Sequence, residues 1–354
     1  MDELTRSRLV LRVASSCNPI LGRIRLTAAA IVLLVAGCSS TPTTSSALTQ
    51  ASPQSGLSRP AGSPSPSALP TAETLVQARR GFTTHLVEHV HDSGRVEIPP
   101  QGAFRLVHYL SPVGSLAAYV TATSGTVRHP AIIWITGGDY NSISDVWSPA
   151  PSNNDQTAGQ YWQAGVVMMF PSLRGGNDNP GYEEGFMGEA DDILAAADFL
   201  AKQPGVDPSR IYLGGHSTGG TMALIESEYT ARFRAVFAFG PVETPSEYSP
   251  QEVALPWDPA RPIELELRSP VLWLSSIVRP TFVFEGTDAP SNIDSLHALA
   301  AANSNPNLHF YPVSGYDHFS ILAPLNRLIA QKIYSDIGPT CTITFGEAQI
   351  SALG

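Results

Sequence analysis

The run Ile211-Tyr212-Leu213-Gly214-Gly215-His216-Ser217-Thr218-Gly219-Gly220-Thr221 decides how this chain folds. Ile211 to Leu213 is a short apolar stretch that reads as a buried strand, and Thr221 to Tyr229 reads as a helix. Between them lies glycine-x-serine-x-glycine. In a strand-turn-helix setting this pattern forms a turn so tight that the residues two before and two after the serine must lack side chains. Here those residues are Gly215 and Gly219, and the candidate nucleophile is Ser217.

Outward from this run, short apolar stretches alternate with longer amphipathic ones. Ala131 to Ile135, Val166 to Phe170, Ala235 to Phe239, Thr281 to Phe284 and Leu308 to Val313 read as strands, with earlier extended patterns at Phe82 to Val87 and Phe104 to Thr121. Glu189 to Lys202 puts Ile193, Leu194, Ala197, Leu200 and Ala201 on one helical face and stops before Pro204. A further helix is expected from Ser291, with Asp294 as its capping-box partner. Fully apolar strands alternating with helices indicate an α/β fold, a mostly parallel central sheet covered on both faces to give three layers. The insertion from about Glu243 to Ile277 is a candidate lid or cap.

A serine hydroxyl needs an adjacent base, itself oriented by a carboxylate. In an arrangement of this kind both partners follow the serine, acid first, on loops after later strands. His216 adjoins the serine and should point elsewhere, His297 falls on a helix and His309 within a strand, which leaves His318 in the loop Gly315-Tyr316-Asp317-His318-Phe319. The acid is sought after Thr281 to Phe284, where Asp288 is the first choice because Gly286 lets the loop turn, and Glu285 is the reserve. Two donors should face the oxyanion: the backbone N–H of Thr218, and that of Gly138 or Asp139 in the loop Thr136-Gly137-Gly138-Asp139-Tyr140. No cofactor is called for, and Cys17, Cys38 and Cys341 show no metal-ligand spacing.

The amino-terminal part reads as an address. Arg23 and Arg25 precede an apolar run, Ala28 to Ala36, that is too short to span a bilayer and suits a signal peptide. It ends in Leu-Val-Ala-Gly-Cys38, which resembles the lipobox of bacterial lipoproteins and marks Cys38 for lipidation. Residues 39 to 72 hold 21 Ser, Thr or Pro among 34, with Arg59 the only charge, a composition that cannot offset its own ordering entropy. The expected organisation is a signal peptide (1–38), a tether (39–74), a catalytic domain (75–338) and a carboxy-terminal tail (339–354). The catalytic domain would then sit in the cell envelope, outside the cytoplasm, anchored to a membrane. With 21 Lys and Arg against 31 Asp and Glu, the chain has a formal charge of −10, which argues against nucleic acid as a partner.

From Ala131 to Ile333 these residues resemble the prolyl oligopeptidase and dienelactone hydrolase branches of the α/β-hydrolase superfamily. Most similar are Arg174-Gly175-Gly176, Gly188-Glu189, Asp191-Asp192 and the stretch Gln203 to Ile211 that leads into the elbow. The resemblance implies a helix and turn feeding the nucleophile strand, with Arg174, Glu189 and Asp192 as a structural ion-pair network. Two departures stand out. The His-Gly-Gly common after the third strand is Thr136-Gly137-Gly138 here, and only about 60 residues precede the core, where oligopeptidases carry a large amino-terminal domain. On the sequence, a serine esterase for small or medium acyl esters ranks first. A serine peptidase for short peptides comes second, and a binding lipoprotein that kept the fold without the reaction third.

Overall fold

The computed structural model describes residues 73–123, 127–249, 253 and 255–353. The signal peptide, the lipidation site Cys38 and nearly all of the tether lie outside the described residues. The sheet has eight strands in the order β1-β2-β4-β3-β5-β6-β7-β8. β1 (Phe104–Ser111) and β2 (Gly114–Thr121) form an antiparallel hairpin, and β2 also runs antiparallel to β4 (Val167–Pro171). From β4 onward, β3 (His129–Ile135), β5 (Val206–His216), β6 (Val236–Phe239), β7 (Thr281–Gly286) and β8 (Leu308–Val313) are all parallel.

Alternation along β3 explains the three layers. Ala131, Ile133 and Ile135 point to one face, with Ile193 and Met222, while Ile132 and Trp134 point to the other, with Tyr161, Leu325 and Ile329. The first face is covered by α1 (Leu75–Ala78), α3 (Glu189–Leu200), α4 (Thr218–Tyr229) and α6 (Ile293–Ala302). The second is covered by α2 (Gln160–Gln163) and α7 (Leu322–Ser335). Both faces are therefore dry, as the unbroken apolar strands require.

Four sequence expectations resolve differently. Residues 82–87 do not join the sheet: Leu86 bridges only to Trp257, and the neighbouring backbone bonds to Pro256 and Asp258. The helix expected from Ser291 starts at Ile293, because the Ser291 hydroxyl bonds to the Glu285 carboxylate at 3.0 Å instead of capping with Asp294. The described part of the 243–277 insertion packs as short helical turns around α5 (Pro262–Glu266), pinned by the fully buried Arg268, which ion-pairs with Glu264 at 2.7 Å. The carboxy-terminal segment is packed too. Phe345 meets Phe237, Phe282, Phe284 and Tyr311, and Ile350 of α8 (Glu347–Ser351) is buried.

Arg174, Asp192 and Glu189 all have structural parts, but the ion pairs join Arg174 to Asp192 and Glu184, and Glu189 acts through backbone hydrogen bonds. The Arg174 guanidinium grips Asp192 through Nε at 2.9 Å and a second nitrogen at 3.1 Å, with both side chains buried. The Glu189 carboxylate accepts backbone N–H bonds from Glu184, Gly185 and Met187, which closes the turn ahead of α3. None of the three lines the cleft described below. Arg174 also holds Glu184 at 2.5 Å, so losing the Asp192 charge leaves the guanidinium partly paired. Asp192→Asn should therefore lower unfolding free energy by about 1–3 kcal/mol in denaturant titration, without changing turnover per folded molecule.

Candidate active site

Crowding of backbone on backbone shapes the turn at Ser217. A Cβ at Gly215 would stand 2.2 Å from the carbonyl oxygen of Gly219, one at Gly219 2.3 Å from that of Ile135, and one at Gly220 2.3 Å from that of Phe239. No side chain fits at any of the three, so α4 turns back directly over the ends of β3, β5 and β6. Ser217 carries the cost with φ 56° and ψ −116°, a conformation that a non-glycine residue holds only when its surroundings enforce it. Its N–H bonds to the carbonyl of Phe239 and its own carbonyl receives the N–H of Thr221, both at 2.8 Å. Within Ile211–Gly220, Ser217 alone is not buried, which leaves its hydroxyl accessible.

The loops after β7 and β8 supply the acid and the base. His318 Nδ1 lies 3.1 and 3.2 Å from the two carboxylate oxygens of Glu285, at the end of β7. That carboxylate is 1% exposed and also accepts the N–H of Asn292 at 3.1 Å, besides the Ser291 hydroxyl. Asp288, the first choice from the sequence, is not the partner. It is exposed, with Thr287 donating to its carboxylate, and its backbone N–H goes to Tyr316. The acid belongs to the last turn of the strand itself, because Glu285 is in register with Pro312 and only a short loop separates β8 from His318. With Nδ1 engaged by Glu285, the imidazole presents Nε2 to the cleft that it shares with Ser217.

Gly240, just past β6, lies beneath this pair. With φ 55°, it leaves room that a Cβ would fill, coming 2.4 Å from Glu285 Oε2 and 2.4 Å from His318 Cε1. Gly240→Ala should lower kcat by about 10²-fold through displacement of the imidazole while circular dichroism stays native. An unchanged kcat would contradict this placement.

On the other side of Ser217 is the loop after β3. A Cβ at Gly137 would lie 3.2 Å from Ser217 Cβ, so this loop packs directly on the serine. The Thr218 hydroxyl donates to the carbonyl of Gly138 at 2.8 Å and fixes the loop to the start of α4. Thr218 opens the helix, where the first N–H groups lack intrahelical acceptors, so its N–H can face an oxyanion. Gly138 lines the cleft and remains a candidate second donor. Asp139 is not among the lining residues. Its carboxylate instead accepts the N–H groups of Asn141 and Ser142 to close the turn.

The cleft holds about 640 Å³, and its wall includes Glu247 and Tyr248 of the insertion, Asn292 and Asp294 near the start of α6, and Gln156. Sequence reasoning missed these residues, since each comes from a segment without a motif and reaches the site only through the chain path. His216, which also borders the cleft, is 1% exposed, with its ring nitrogens engaged by Gln156 and the carbonyl of His318. Burial, helped by the adjacent His318 ring, pushes its pKa down to about 3. Among the described residues no group of His, Cys, Asp and Glu could hold a metal ion.

Comparison with known proteins agrees with this geometry. Residues 154–262 match the model of the prolyl oligopeptidase family. Among solved structures, dipeptidyl peptidase 4 from Porphyromonas gingivalis superposes with a TM-score of 0.53 at 19% identity, over 66% of this chain and 35% of that one. A puromycin-hydrolyzing peptidase from Mycobacterium tuberculosis gives 0.52 at 18%, over 69% and 41%. A 2,6-dihydroxy-pseudo-oxynicotine hydrolase gives 0.50 at 16%, over 67% and 68%. The chain thus spans less than half the length of either peptidase. No curated protein matches it. These likenesses establish the α/β-hydrolase fold, and within that fold the segment carrying Ser217 is similar in sequence to the prolyl oligopeptidase family.

Proposed function

We propose that this chain is a serine hydrolase cleaving amide bonds of short peptides through an acyl-enzyme. Ser217 Oγ attacks the carbonyl, His318 Nε2 takes the proton and returns it to the leaving amine, and Glu285 steadies the imidazolium that forms between the two steps. The N–H groups of Thr218 and Gly138 face the developing oxyanion. The observation that carries the reading is the Glu285 to His318 hydrogen bond at 3.1 Å on the wall of the cleft that exposes Ser217. The family match across 154–262 favours peptides over esters, reversing the order that the sequence suggested. Among the described cleft-lining residues Glu247 and Asp294 are carboxylates and none is Lys or Arg, which favours substrates bearing a protonated amine.

Aminoacyl and dipeptidyl nitroanilides set against nitrophenyl esters test the reading. Turnover of both is expected, as are its loss in Ser217→Ala, a fall on the order of 10⁴-fold in kcat for Glu285→Gln and no change for Asp288→Asn. Ester turnover without amide turnover would return the reading to an esterase, and folded protein that a fluorophosphonate probe does not label would leave only a binding role. The lipobox at Cys38 supports a site of action at the outer face of a membrane, on a tether. Intact-mass measurement of membrane-fraction protein should show a chain beginning at a diacylated Cys38, and an unmodified cysteine there would remove the anchor.

A further inference from the structure

Behind Ser217, a continuous hydrogen-bonded path joins the oxyanion loop to the backbone of the general base. The N–H of Gly137 donates to Gln156 Oε1 at 3.3 Å. The Gln156 amide nitrogen lies 2.9 Å from Asn154 Oδ1 and 2.9 Å from His216 Nδ1. His216 Nε2 lies 2.9 Å from the carbonyl oxygen of His318.

Gln156 Oε1 also lies 3.1 Å from His216 Nδ1, and the proton positions decide which amide atom engages that nitrogen. The carbonyl of His318 can only accept, so His216 must carry its proton on Nε2. A neutral imidazole then has a lone pair on Nδ1, which requires the amide nitrogen of Gln156 to be the donor there and leaves Oε1 for Gly137. Burial keeps His216 neutral throughout the range in which such an exchange could matter, as its depressed pKa near 3 indicates. Its ring also packs on that of His318, with centroids 4.4 Å apart. The His318 N–H is held by the carbonyl of Pro290 at 2.8 Å, so the residue is clamped at both its backbone N–H and its carbonyl.

We propose that Gln156 and His216 are positioning residues that lock the oxyanion loop and the base loop into one rigid unit. The inference rests on the hydrolase reading above. The two loops follow strands β3 and β8, which sit at separate places in the sheet, and both border the cleft that exposes Ser217. The other ties of the two loops, Thr218 to Gly138 and Pro290 to His318, run to separate elements, and this path couples the loops to each other. The cost of losing that coupling falls on the transition state, where proton transfer and oxyanion bonding must be in register together.

The test is a double-mutant cycle on the full chain, with kcat and KM read separately on a nitroanilide that the wild type turns over. Gln156→Leu keeps the volume of a half-buried loop residue and removes the amide contacts to Gly137, Asn154 and His216. His216→Phe keeps the ring and removes both nitrogens. Each is expected to lower kcat by about 10- to 100-fold with KM unchanged, the double variant to be no worse than the poorer single, and His216→Gln, which restores a donor and an acceptor, to recover most of the loss. Full kcat in Gln156→Leu, a loss confined to KM, or additive losses in the double variant would overturn the proposal. Should His216→Phe fail to fold, kcat of Gln156→Leu decides alone. Fluorophosphonate labelling of Ser217 in the wild type separates these outcomes from failure of the hydrolase reading, which would leave nothing labelled.

Discussion

The structure depends on a steric constraint: the chain must leave β5 and enter α4 within one residue, against the carbonyl oxygens of neighbouring strands. Gly215, Gly219 and Gly220 each abut a backbone oxygen closer than any Cβ could approach. Satisfying these contacts forces Ser217 into a positive φ and lifts its hydroxyl out of an otherwise buried decapeptide. Strain of this kind costs about 1–3 kcal/mol and persists because the surroundings over-determine it. Here those surroundings are a fully apolar sheet and a helix buried along nearly its whole length.

The same parallel sheet brings the remaining groups together. β3, β5, β6, β7 and β8 all end at one edge, with Ile135 beside Gly215, Phe239 beside Phe284 and Gly286 beside Val313. The loops that follow therefore converge, and crevices at the carboxyl ends of parallel strands are where open sheets of this kind bind ligands. Gly137, Ser217, Gly240, Glu285 and His318 all come from that edge. Residues that line the cleft are up to 182 positions apart in the chain, as Gly137 and Phe319 are. Only sheet order brings them near each other.

Much of the site was legible because its chemistry is local. The elbow declares itself by glycine spacing between a strand and a helix, and His318 by being the one histidine in a loop after a late strand. The acid was less legible. Glu285 and Asp288 lie on one short connection, and the preference for Asp288 assumed that the carboxylate needs the freedom of the loop beyond Gly286. In the fold the carboxylate comes from the strand end, since β7 and β8 are adjacent and in register, and the imidazole reaches back to the strand rather than out to the loop. The space for that reach is left by Gly240, just past a different strand, and no reading of 281–288 could reveal it.

The sequence by itself determined that a parallel sheet forms, that a serine is raised from a turn after one of its strands and that a histidine follows late in the chain. Each of these rests on local steric rules and periodicity, which act over a few residues. Which carboxylate meets the histidine, which loops line the cleft and how Gln156 and His216 tie its two sides together were decided by tertiary structure alone. Those contacts depend on the order and register of strands far apart in the chain, and register is set by the packing of the whole sheet against its helices.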